Sequence, residues 1–224
     1  MKTKNVFCFL KFAGDSPHSI VLADLLTKGF FQMVKTEAVT YKGGNTPKML
    51  DLIKSDPNLI QGYEVIVLHL GTNWLSGMEE WGLYLKMVNK VITKESYNTQ
   101  LRLLNPPPAL GKAQTFKDQY QELIDLIKFI NKEVTILVSS IIPRSWDHDR
   151  RHPVRNIYNK ILKSFNKQSR VFFIPSFRPF FDANNNLKCE LFDHDGLHLS
   201  DRGAVVLRTF FCEKIDKCRQ GILK

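Results

Sequence analysis

The chain has 224 residues, 43% of them apolar and 11% aromatic, and a formal net charge of +10. Such length and apolar content exclude a disulfide-stapled miniprotein and a disordered tail, and fit one globular domain with a full core. The basic excess favours nucleic acid, an anionic membrane surface or an acidic substrate, and its plainest alternative is a solvated basic surface.

Four cysteines, Cys8, Cys189, Cys212 and Cys218, form no Cys-x-x-Cys pair. A chain this long needs no disulfide staples, so reduced thiols are expected, and with them an intracellular setting, cytoplasmic or nuclear. No run approaches the ~18 apolar residues of a membrane span. Residues 1–10 resemble a signal peptide only superficially. Their apolar part is shorter than an h-region and is cut by Lys11, so it reads as a first strand.

Val6-Phe7-Cys8-Phe9-Leu10 has the composition of a buried parallel strand. Gly14-Asp15-Ser16-Pro17 follows, with Ser16 a good N-cap and Pro17 at the first helical position. Ile20, Leu22, Ala23, Leu25, Leu26 and Phe30 then recur at helical spacing. Residues 36–41 read as a second strand, Gly43-Gly44-Asn45-Thr46-Pro47 as a turn, and Met49, Leu52 and Ile53 as the start of a helix. Glu64-Val-Ile-Val-Leu-His-Leu70 is the clearest buried strand and ends in Gly71-Thr72-Asn73-Trp74.

Residues 75–115 read as an irregular insertion, with a short helix around 81–91 and three prolines at 106–108. It is a candidate lid or partner-binding segment, against the alternative of a variable surface loop. An amphipathic helix is predicted over 116–130, a fourth strand over 134–142, a helix over 154–165, a fifth strand over 171–174 and a last helix over 204–215. Strands alternating with helices predict a parallel sheet covered on both faces, in a single domain over residues 1–224.

In such folds ligands bind beyond the carboxyl ends of the strands. Ser16, Gly44 and Asn73 each fall just after a predicted strand. Asp195 and His198 fall in the loop before the last helix. A serine nucleophile needs a base, and the base needs a third group to fix its tautomer. Ser16, His198 and Asp195 supply those roles. The Ser16 and Gly44 backbone N–H groups and the Asn73 amide are candidate donors to an oxyanion. Each alone has a plain structural reading: a helix cap, a turn, an asparagine bonded to local backbone, a surface Asp-x-x-His. Their conjunction at one sheet rim is far more specific.

That conjunction resembles the SGNH subgroup of the GDSL hydrolases over nearly the whole chain. Gly14-Asp15-Ser16, Gly44-Asn45-Thr46, Gly71-Thr72-Asn73 and Asp195-Gly196-Leu197-His198 look like the family's four blocks. The resemblance implies a three-layer flavodoxin-like fold and esterase, lipase, thioesterase or deacetylase activity needing neither metal nor cofactor. It implies nucleophile Ser16, oxyanion donors Gly44 and Asn73, and the pair Asp195–His198. Val138-Ser139-Ser140-Ile141-Ile142-Pro143-Arg144 and Asp195-Gly196-Leu197-His198-Leu199-Ser200 look most like the esterase domains of LINE-type retrotransposon proteins. The family's usual Asp after the third-block Asn is Trp74 here, read as a wall of the acyl pocket.

The expected activity is hydrolysis of a small acyl or acetyl ester. The rival is a non-catalytic module on the same fold that binds RNA or anionic lipid, with Arg144, Arg150, Arg151 and Arg155 as its polyanion-binding group. His148 and His152 with Asp147 and Asp149 have metal-compatible spacing but no second ligand segment, so no metal is expected. Asp193 and His194 form an alternative acid–base pair, and His69 reads as a satisfied core histidine.

Overall fold

In the computed structural model, the residues described are 6–10, 36–40, 46–75, 82–83, 86–87, 89–104, 110–145, 153–194 and 196–223. Five strands form one parallel sheet: β1 (Val6–Leu10), β2 (Thr36–Thr40), β3 (Val65–His69), β4 (Thr135–Ser139) and β5 (Val171–Ile174). Their spatial order is β2-β1-β3-β4-β5, with Val6 beside both Thr36 and Val65 in register. This is the flavodoxin-like order. Its direction reverses at β1 and β3, so a crevice is expected beyond their carboxyl ends.

Alternation along the strands divides two cores. On one face Ile66 and Leu68 of β3 and Ile136 and Val138 of β4 pack with Met49, Leu50 and Ile53 of α1 (Thr46–Ser55). Phe116, Tyr120, Leu123, Ile124 and Ile127 of α3 (Leu110–Ile130) and Val154, Tyr158 and Leu162 of α4 (Pro153–Ser164) complete that layer. On the other face Val65, Val67 and Leu137 meet Ala204, Leu207, Phe211 and Ile215 of α5 (Asp201–Arg219). β3 is therefore buried on both sides, which is why it reads as an uninterrupted apolar run. Among the described residues, no helix is long and apolar enough to cross a membrane.

The insertion is more regular than expected. Lys94–Leu104 forms a helix, α2, and α3 begins at Leu110, before the first residue of the predicted periodicity. Gly82, Leu83, Lys86 and Met87, within the predicted short helix, are helical. Leu83 and Tyr97 form a small separate core, against which Met87, Ile92 and Leu197 pack. The prolines at 106–108 and the predicted helix after Ser16 lie outside the described residues.

Candidate active site

Two backbone devices lie beyond the carboxyl ends of the strands, one directly after β3 and one tied to the segment after β4. The first follows β3. Gly71, at φ +127°, turns the chain into a 3-10 turn, Thr72–Trp74. The Trp74 N–H donates to the Gly71 carbonyl at 2.9 Å and the Leu75 N–H to the Thr72 carbonyl at 3.1 Å. The backbone of Asn73 sits in the middle of this turn. A side chain at Gly71 would be strained in φ and would bring its Cβ within 2.9 Å of Ile141.

The second device is a tight hairpin that carries His198. Phe192 and Leu199 make an antiparallel bridge. Inside it the Asp193 N–H donates to the His198 carbonyl at 2.8 Å, and the Gly196 N–H to the Asp193 carbonyl at 2.8 Å. Gly196 takes φ +69°, a conformation that favours glycine. His198 thus has its backbone fixed one residue from the bridge. The hairpin is tied to the sheet by Ser145, in the segment after β4, whose N–H donates to the Gly196 carbonyl at 2.8 Å. It is tied to α5 by Ser200, which caps that helix by accepting from the Gly203 N–H and donates its hydroxyl to the Glu190 carbonyl.

Ser16, Gly44 and Asp195 lie outside the described residues, as does the loop carrying His148, Arg150, Arg151 and His152. The alternative pair is present: His194 Nδ1 lies 2.8 Å from Asp193 Oδ1, but the His194 side chain is 89% exposed. An exposed pair is poorly shielded from water, which weakens its electrostatics. His69 is buried, with Nδ1 2.8 Å from the Ser139 hydroxyl and its ring edge-on to Phe211. Ser139 in turn contacts the Ser176 hydroxyl at 2.6 Å, and Ser176 the Ser140 hydroxyl at 2.9 Å. This network links the ends of β3, β4 and β5, as a satisfied core histidine would.

Two expectations are corrected. Arg144 and Arg155 are 2% and 1% exposed, so they are withdrawn from any polyanion-binding surface. The Arg155 guanidinium lies over the Phe181 ring at 5.7 Å, a stacking that suits a buried guanidinium. Arg144 lies in the buried segment that follows β4, and Arg155 in the first turn of α4 beside the core residue Val154, which accounts for the burial.

A model of the GDSL-like lipase/acylhydrolase family matches residues 15–206. The chain belongs to that family. As a member it is an ester hydrolase of the SGNH type. The match runs from the Asp15-Ser16 stretch through the His198 hairpin into α5, so it spans every block of the candidate site. Solved GDSL and esterase structures share the fold at low identity. A lipase/acylhydrolase from Enterococcus faecalis superposes with a TM-score of 0.64 at 17% identity, covering 99% of this chain and 97% of its own. A catalytic mutant of an acetylxylan esterase from Geobacillus stearothermophilus gives 0.58 at 11% identity, covering 95% and 94%. A carbohydrate esterase family 3 protein from Talaromyces cellulolyticus gives 0.57 at 12%, covering 97% and 99%. No curated protein matches the chain. Among the described residues of this GDSL-family chain, no cluster of His, Cys, Asp and Glu could hold a metal ion.

Sequence reasoning missed three residues that shape this site. Gly203 lets the hairpin approach α5, and Leu197 and Tyr97 join the hairpin to the insertion. A glycine three residues after a serine cap, inside an amphipathic helix, was a readable signal for the first.

Proposed function

We propose that the chain is a serine esterase acting on a small acyl or acetyl ester, with Ser16 as nucleophile, His198 as base and Asp195 orienting His198. The observation that carries this reading is the bridged hairpin, which fixes the His198 backbone beside the loop after β4, on the rim where the 71–75 turn also lies. Ser16 attacks the ester carbonyl carbon while His198 takes its proton. The oxyanion is met by the Ser16 and Gly44 N–H groups and the Asn73 amide. His198 returns the proton to the leaving alcohol oxygen as the acyl-enzyme forms. A water then attacks the acyl carbon with His198 again as base, releasing the acid and restoring Ser16.

Polyanion binding on the same fold is supported by the +10 net charge alone, and it loses Arg144 and Arg155 to burial. The narrower likeness to LINE-type retrotransposon esterase domains is supported by the motifs at 138–144 and 195–200. Mass spectrometry after treatment with a serine-reactive phosphonate tests the enzyme reading. Ser16 should be the labelled residue, and His198→Ala should lose ~10³-fold or more in kcat/KM while His194→Ala keeps most activity. An unlabelled Ser16 in a protein that hydrolyses no acetyl or longer ester would end it. Equal losses in two folded histidine variants would mean the base is misassigned.

A further inference from the structure

The 71–75 turn is gripped by side chains that have no part in bond making. Tyr120, fully buried, donates its hydroxyl to the Leu70 carbonyl at 3.1 Å. Burial pushes that hydroxyl's pKa well up, so it remains a donor at any physiological pH. Ile141 closes against Gly71 from the neighbouring strand end. The Trp74 ring meets Phe116 edge-on, with centroids 5.4 Å apart, and leans on Tyr158 at 6.1 Å. Phe116 and Tyr158 lock each other at 4.7 Å, and both are buried. Leu75 is buried as well.

A three-residue 3-10 turn has poor hydrogen-bond geometry and does not hold its shape unaided. An oxyanion donor must nevertheless stand within a few tenths of an ångström of its station before the reaction begins. Trp74 is the residue next to Asn73, and its ring is anchored in rigid core rather than facing solvent alone.

We propose that Trp74 is a positioning residue: its ring, seated on Phe116 and Tyr158, fixes the turn that presents Asn73 and so acts on turnover through Asn73. This rests on the reading of Asn73 as an oxyanion donor. A wall of the acyl pocket, by contrast, would act through KM and through the choice of acyl chain.

The test compares wild type, Trp74→Ala, Trp74→Phe, Asn73→Ala and the double variant Asn73→Ala/Trp74→Ala on acetyl and octanoyl p-nitrophenyl esters, with thermal unfolding as a check on folding. Trp74→Ala should lower kcat by ~10–10²-fold on both esters with KM unchanged, and Trp74→Phe should recover most of it. The double variant should be no slower than Asn73→Ala, because a residue acting through another adds nothing once that other is gone. Hydrogen exchange of the Leu75 amide reads the turn without any activity. It should quicken in Trp74→Ala while the β3 amides stay as they are.

Losses that multiply in the double variant, or a shift in KM and acyl preference at constant kcat, would overturn the proposal, as would Leu75 exchange that does not change. If wild type turns over no ester, the esterase reading falls on its own. Leu75 exchange then still decides whether Trp74 holds the turn.

Discussion

Gly203 carries more of the site than its lack of a side chain suggests. A Cβ built there would lie 1.9 Å from the Leu191 carbonyl oxygen, which is backbone and cannot rotate away. The same carbonyl accepts from the Ser200 N–H at 3.1 Å and adjoins the Phe192–Leu199 bridge. In an ordinary helix interior, Gly→Ala gains about 1 kcal/mol. Here overpacking costs about 1–3 kcal/mol, and the sign reverses. Gly203→Ala should therefore lower the urea midpoint and, by pushing the hairpin off α5, reduce kcat in the fraction that folds. A variant as stable and as active as wild type would mean that the approach of hairpin to helix is not needed. His194 and His198 teach the complementary lesson. Each has an aspartate within three residues in sequence. The structure makes one pair an exposed surface contact and puts the other histidine's backbone inside a closed hairpin.

At the scale of elements, the insertion packs on the hairpin through one small core. Tyr97 of α2 and Leu83 bury each other, and Leu197, adjacent to His198, packs on them. Removing a buried aromatic ring costs about 3–5 kcal/mol when the site cannot collapse. Here the small core is separate from the two that hold the sheet. Tyr97→Ala should accordingly lower kcat severalfold while leaving the main unfolding transition in place, measured by steady-state kinetics beside thermal denaturation. An unchanged kcat would make the insertion a separate appendage. This coupling was not legible in the sequence, because Leu197 and Tyr97 are far apart along the chain and nothing local links them. α2 was hidden for another reason. It is mostly polar, so it offers few apolar residues to read, and its best signal is Thr93, whose hydroxyl accepts from the Ser96 N–H at 3.1 Å. The first turns of α3 carry Gly111, Lys112 and Gln114, so the helix becomes visible in sequence only at Phe116. β3, β4, β5 and α5 were legible for the opposite reason. Each buries a continuous run or a full stripe, and burial writes itself into residue choice. The candidate site was legible in its motifs, whereas the supports under it are contacts between elements, which spacing does not record.

For the whole molecule, charge and chemistry separate. The +10 excess is spread along the chain, and among the described residues Arg144 and Arg155 are buried. Arg150→Glu with Arg151→Glu should leave hydrolysis of a neutral ester near wild type. Any binding to an RNA oligomer at low salt should weaken with that pair and fall steeply as salt rises. A titration at two salt concentrations checks this, and the absence of binding at low salt would reduce the charge to a solvated surface. The strand order has a different consequence, one of timing. β1 lies mid-sheet, between β2 and β3, although it precedes both in the chain. The hairpin with His198, and α5, which packs on one face of the sheet, follow all five strands in the chain. During synthesis β1 is therefore made before the strands that flank it, and the Ser16 segment before His198 and α5. On the proposed assignment of Ser16 as nucleophile and His198 as base, a chain that has not yet reached His198 is expected to hydrolyse no ester.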